Sequence, residues 1–287
     1  MASRRIQSLV LFFLIVIFSV ISFSPQVYAS HSWDDFHWAR TSNPFTLKLG
    51  DNLSSLLWDP YLLTASDDWS ASGVLDTVIV PGGTTQKRCR PTSGRVEVCN
   101  NRYGNNGWLG IAQIWASGNH ITQGVAKLND TYFNSSTYNT PAWKKLVMCQ
   151  EIAHTFGLDH QDENFANQNL GTCMDYTSNP LGPPSNEHPN QHDYDMLVTL
   201  YTHLDAITTI GQASALKRQK EATDVNNDSE DNDPKKWGKK IKDNGKVSLY
   251  ELDFGGGFKQ FTFVIWANPA AILSSVLESL QSLPFAK

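Results

Sequence analysis

Apolar and polar positions along this chain follow two periods, and the switch between them predicts its elements. Short stretches at Phe45–Leu49, Val74–Val80, Arg95–Cys99, Trp108–Trp115 and Ile121–Leu128 carry the alternation or β-rich composition of strands. Asp51 and Asn52 are good helix caps, and Leu56, Leu57, Leu62, Leu63 and Trp69 supply the apolar stripe of a helix reaching about Trp69. Pro60 inside that helix predicts a kink or a broken first turn. Pro141 opens a second helix at a position where proline is well tolerated. A third is expected over Asn190–Leu204, with Tyr194, Leu197, Leu200, Tyr201 and Leu204 turned inward. The predicted order is strand, helix, three or four strands, helix, turn, final helix.

Both ends of the chain depart from that pattern. Arg4 and Arg5 precede an almost wholly apolar run at residues 9–23, and Val27-Tyr28-Ala29 offers small residues at cleavage-type positions. The run is about 15 residues, short of a spanning helix, so residues 1–29 read as a signal peptide and the mature protein is expected outside the cytosol. A main domain over 30–205 follows, then a polar linker over 206–235. Its Asp/Asn-rich part resembles a calcium loop only in composition, since Ser229 and Lys235 stand where such a loop needs glycine and glutamate. Residues 236–287 read as a small C-terminal β unit, with Val247–Tyr250 and Phe261–Ile265 flanking Gly255-Gly-Gly257, and an amphipathic helix over Ala270–Leu283 that is too short to span a membrane.

Charge changes the picture by exclusion. The net charge is −5, and no basic patch interleaved with aromatics is present, so nucleic acid is not an expected partner. In an exported protein the four cysteines are expected to pair, with three connectivities open. Cys89 with Cys99 would close a short loop, and Cys149 with Cys173 would join two segments that must lie together if they share a site. Metal ligation by Cys149 is disfavoured, because it points about 100° away from Gln150 on a helix.

The candidate chemistry lies at residues 149–160, Cys-Gln-Glu-Ile-Ala-His-Thr-Phe-Gly-Leu-Asp-His, and at Cys173-Met174-Asp175-Tyr176. Gln150 and His154 are four apart and share a helix face, with Glu151 beside them. Gly157 suits a helix end that bends back to present His160. Two ligands from one helical turn, a third after a glycine bend and an adjacent carboxylate form the pattern of a zinc site.

This stretch resembles the metzincin zinc metallopeptidases, whose signature is HExxHxxGxxH followed by a methionine turn. Glu151, His154, Gly157 and His160 fall in register, and Cys173–Tyr176 looks like the turn. Gln150 stands where the family has its first zinc-binding histidine. The resemblance covers roughly residues 44–205 and is matrixin-like in length and strand order. Gln161 does not match the residue that follows the last histidine in matrixins, astacins or serralysins. It implies an α+β fold, with a twisted mixed sheet of about five strands over the site helix, a methionine turn and a C-terminal helix. Trp108–Trp115 would be the sheet edge that binds an extended peptide.

The resemblance also implies roles. His154, His160 and Gln150 would hold Zn2+, Glu151 would be the general base, Met174 would form an apolar floor, and Tyr176 would hydrogen-bond an oxyanion. An amide oxygen is a weaker zinc ligand than an imidazole. Three readings stay open: ligation through Gln150, replacement by Asp159, Asp162, Glu163, His188 or His192, or a metal-free site kept for binding. The expected function is a secreted zinc-dependent endopeptidase, monomeric, acting on protein or peptide and not inserted in a membrane. A catalytically silent binding protein on the same fold is the alternative.

Overall fold

The computed structural model describes residues 31–211, 232–268 and Leu273. The expected signal peptide, most of the linker and the expected helix over Ala270–Leu283 lie outside the described residues. The rest is an α+β fold built on one large mixed sheet. Its strands are β1 (His37–Trp38), β2 (Phe45–Asn52), β3 (Leu75–Pro81), β4 (Val96–Asn101), β5 (Trp108–Ser117), β6 (His120–Asn129), β7 (Lys239–Asp243), β8 (Val247–Gly255) and β9 (Phe258–Trp266). The helices are α1 (Ser55–Ser70), the short α2 (Asp130–Phe133), α3 (Pro141–His154) and α4 (Gln191–Leu200).

The sheet order is β3-β2-β4-β6-β5-β9-β8-β7, with β1 paired to the end of β6. Pairings among β3, β2, β4 and β6 are parallel, and from β6 through β5, β9, β8 and β7 they are antiparallel. The first half therefore needs crossovers, which α1 provides between β2 and β3, and the second half is joined by tight turns. Gly255, Gly256 and Gly257 all have positive φ, as the β8–β9 turn requires.

Several expectations are corrected here. Asp51 and Asn52 do not cap α1. They extend β2, and the cap is Ser54. The inward face of α1 is Trp58, Leu62, Ala65 and Trp69, whereas Leu57 and Leu63 are exposed. The helical rotation puts residues at spacings of four, three and four on one side, and a Leu-Leu pair cannot both lie there. Pro60 sits in the first turns of α1, within one continuous helix. The last helix ends at Leu200, so Leu204 is exposed rather than inward. The sheet has nine strands rather than about five, because the C-terminal strands join the same sheet as the rest. Consequently β5 is not an edge strand. It lies between β6 and β9, and its continuous burial accords with an interior position.

The main core fills the space between the sheet and helices α1, α3 and α4, with Trp58, Trp69, Leu146, Ile152, Phe156 and Leu197 all buried there. On the opposite sheet face Trp237 packs with Trp108, Ile111 and Tyr250. Beside them the 81–95 loop is stapled down by the Cys89–Cys99 disulfide. A second disulfide joins Cys149 on α3 to Cys173. Two disulfides fit a protein made in an oxidising compartment. Among the described residues no helix is long and apolar enough to cross a membrane.

Candidate metal centre

Helix α3 carries the first three residues of the motif. Thr140 caps it, accepting from the Trp143 amide, and Pro141 takes the first helical position. Trp69 Nε1 donates to the Cys149 carbonyl, locking α1 against the last turns. The helix ends at His154, and the chain reverses at Gly157, whose φ is +92°. A Cβ there would lie 2.0 Å from the Phe36 carbonyl oxygen, so only glycine can make the bend that brings His160 back.

His154 and His160 are brought together. Their Nε2 atoms are 3.2 Å apart, and the two rings meet edge to face. His154 Nδ1 donates to the Leu158 carbonyl at 2.8 Å, which leaves Nε2 with its lone pair. His160 Nδ1 faces Asp159 Oδ1 and Glu163 Oε1, each at 3.4 Å, so its Nε2 is also the inward atom. Carbonyl or carboxylate support behind an imidazole is what orients a metal-ligating histidine. Two nitrogens on one tetrahedral zinc lie about 3.3 Å apart, close to the spacing seen.

Gln150 fits the same role. It is fully buried, and its Nε2 donates to the Cys173 carbonyl at 2.8 Å. That bond fixes which end of the amide is nitrogen and leaves Oε1 buried without a hydrogen-bond partner. A buried oxygen without a partner, one helical turn from His154, has a lone pair that a cation could take. In donor chemistry, Gln150 Oε1, His154 Nε2 and His160 Nε2 are compatible with a metal ion.

The substitutes weighed from sequence stand elsewhere. Asp159 and Glu163 back the far nitrogen of His160. Asp162 binds the amide of Asn164 and the side chain of Asn167. His188 pairs with Asp68, and His192 stacks on His31. Three groups of His, Asp and Glu side chains among the described residues could also hold a metal: His31 with His192 and Asp193, His37 with His203 and Asp205, and Asp159 with His160 and Glu163.

Electrostatics separate the two histidines. Burial and the neighbouring His160 push His154 down to about 3. Burial also acts to lower His160, but Asp159 and Glu163 outweigh it and raise the ring above the usual imidazole value. The His154 and His160 Nε2 atoms lie within hydrogen-bonding distance of each other, and of the two rings His160 has the higher proton affinity. Glu151 is fully buried beside them, and desolvation lifts its carboxyl well above the usual range. Its Oε2 has no hydrogen-bond partner. Its other oxygen lies against β5 at Gly110, where a Cβ would come within 2.5 Å.

The turn after Cys173 closes the floor. Met174 is buried in the main core, and its amide donates to Thr172 Oγ1. Asp175 takes the Leu170 amide and the Asn186 side chain, which fixes the turn. Tyr176 is buried, and its ring lies edge-on to His160. Its hydroxyl is not free to meet an oxyanion here, because it donates to the Lys246 carbonyl at 2.5 Å.

The C-terminal strands contribute residues that the motif does not mention. Phe263 on β9 stacks flat on His154, with centroids 4.4 Å apart and 7° between planes. Lys242 on β7 ion-pairs with Asp159 at 3.0 Å and Glu163 at 2.6 Å. The His160–Glu163 spacing of three is a sequence signal for a backing carboxylate. Nothing local to Phe263 or Lys242 announces their position.

No known family's sequence profile matches this chain, and no curated protein does. Among solved structures the chain is similar to one titled "Structure of Myroilysin", at 14% identity, covering 57% of this chain and 82% of that one, with a TM-score of 0.33. A likeness that shallow carries no argument about what this chain does.

Proposed function

We propose that this protein is an exported, matrixin-like metzincin endopeptidase that holds zinc through His154, His160 and Gln150. The observation that carries this reading is the convergence of two backed imidazole Nε2 atoms, 3.2 Å apart, with the orphaned Gln150 Oε1 one turn away. When bound, zinc would supply a Lewis acid that acidifies water and polarises a peptide carbonyl.

The chain's own residues do the rest. Glu151, whose proton affinity is raised by burial, would act as the carboxylate that takes a proton from water and returns it to a leaving amine. Asp159 and Glu163 keep His160 oriented, and Cys173 keeps the Gln150 oxygen inward. Tyr176 would steady the developing oxyanion once its hydroxyl is released from Lys246. A silent binding protein is the second reading. It is favoured by the proton that can bridge His154 and His160 without metal, and by the engaged Tyr176 hydroxyl.

Metal content of the purified mature protein by elemental mass spectrometry tests the reading, alongside His154→Ala, Gln150→His and turnover of a broad peptide library. Near-stoichiometric zinc that vanishes in His154→Ala, with turnover that vanishes in Glu151→Gln, is expected. Zinc found only in Gln150→His would sink it in favour of the silent protein.

A further inference from the structure

Strand β5 is the strand the site touches, since Glu151 packs on its backbone at Gly110. One side of β5 belongs to β6. Along the other lies β9, antiparallel, in register from Trp108 opposite Trp266 to Ser117 opposite Phe258. Any extended peptide reaching Glu151 beside β5 must take that side.

The C-terminal segment does more than extend the sheet. Phe263 covers the His154 ring, Lys242 neutralises both carboxylates behind His160, and the Lys246 carbonyl holds the Tyr176 hydroxyl. One segment thus engages three separate parts of the site. Glu151 and His154 are each only 1% exposed beneath it. Phe261, Phe263 and Ile265 alternate toward the site and enter the main core, while Thr262 faces away and accepts from Gln113 Nε2. That is how an extended peptide binds by strand addition: main-chain pairing for affinity, alternate side chains in pockets for selectivity.

We propose that residues 239–266 are a built-in occupant of a peptide-binding strand, and that the described form is closed. The inference rests on the site reading above and adds its regulation and its substrate class. β9 takes the path of an extended peptide along β5, with an aromatic side chain over His154. The peptides admitted when it leaves resemble Phe261–Ile265: extended, with aromatic or β-branched residues at alternate positions. Because the occupant is tethered, its high effective concentration excludes free peptides, and cutting the tether removes that advantage.

Two altered full chains test this. One carries Lys242→Glu with Phe263→Ser. The other keeps every described residue and has a specific protease site inserted between residues 214 and 231, cut after folding. The probe is a labelled peptide of the sequence of residues 258–266, followed by fluorescence anisotropy, with circular dichroism as the check on folding. Both altered chains are expected to bind the probe at least about tenfold more tightly than the intact chain. Equal binding by the intact chain overturns the proposal, as does no binding by the altered chains. If the double variant fails to fold, the cut chain decides alone. Library turnover is read separately. Probe binding without turnover in any form leaves the occupant standing and removes the endopeptidase reading. Turnover by the intact chain at the rate of the cut chain removes the occupant and leaves the reading.

Discussion

At the scale of single residues, the site is defined by what each polar atom already has and what it lacks. His154 has spent Nδ1 on a backbone carbonyl, Gln150 has spent its NH2 on Cys173, and His160 Nδ1 faces two carboxylates at 3.4 Å. In the proposed site the remaining atoms would be the ligand set. A proton and a metal compete for them. Burial lowers His160 but the two acids outweigh it, so the proton that competes with a metal at this ring is held more firmly than on a free imidazole. Zinc affinity is therefore expected to rise with pH through the His160 titration, releasing up to one proton per ion. Calorimetry in buffers of differing ionisation heat measures that number, and pH-independent affinity across this range would contradict the assignment. Because His160 is raised, its share of metal-free stability is present below the unfolded pKa and fades as pH climbs through the folded one.

Among elements, the turn at Cys173–Tyr176 depends on α3 and α4 for its shape. Cys149–Cys173 ties it to α3, and Thr172 donates to Asp193 on α4. The same cysteine presents the carbonyl that orients Gln150. Replacing both Cys149 and Cys173 by alanine should cost roughly 3 kcal/mol in denaturant unfolding. It should also weaken zinc more than the Cys89→Ala/Cys99→Ala pair does, since that disulfide staples a loop on the opposite face of the sheet. Equal effects of the two pairs on zinc would show that the turn does not position the ligand.

For the molecule as a whole, the first described residue meets α4. His31 Nε2 lies 3.4 Å from Asp193 Oδ1, and its Nδ1 donates to the Asp159 carbonyl beside the site. Burial pushes Asp193 up to about 6, against hydrogen bonds from Thr172 and the Asn190 amide. A folded carboxyl that holds its proton longer than the unfolded one makes stability fall as pH rises, here between about 4 and 6. The loss is on the order of 2–3 kcal/mol. Asp193→Asn keeps an acceptor for Thr172 and Asn190 and should flatten that slope in chemical denaturation. An unchanged slope would mean that Asp193 ionises in the fold as it does in the open chain.

Local chemistry determined much of this protein by itself. The spacing of Gln150, Glu151, His154, Gly157 and His160 dictates a helix, a bend that only glycine can make, and two converging rings. Cysteine placement left three connectivities open and favoured the two pairings the structure has, and β-rich runs located the strands of the first half of the sheet. The stripe of α1 was misread because adjacent leucines offer two possible faces, and only packing against α3 selects one. What the tertiary structure alone decided is the status of β5. A largely apolar strand reads the same at a filled edge or in an interior, and its partner comes from more than 130 residues away. Strand pairing at that separation is set by backbone hydrogen bonds, which carry no residue code. The closure of the site by Phe263, Lys242 and Lys246 was therefore written in the fold and not in the motif.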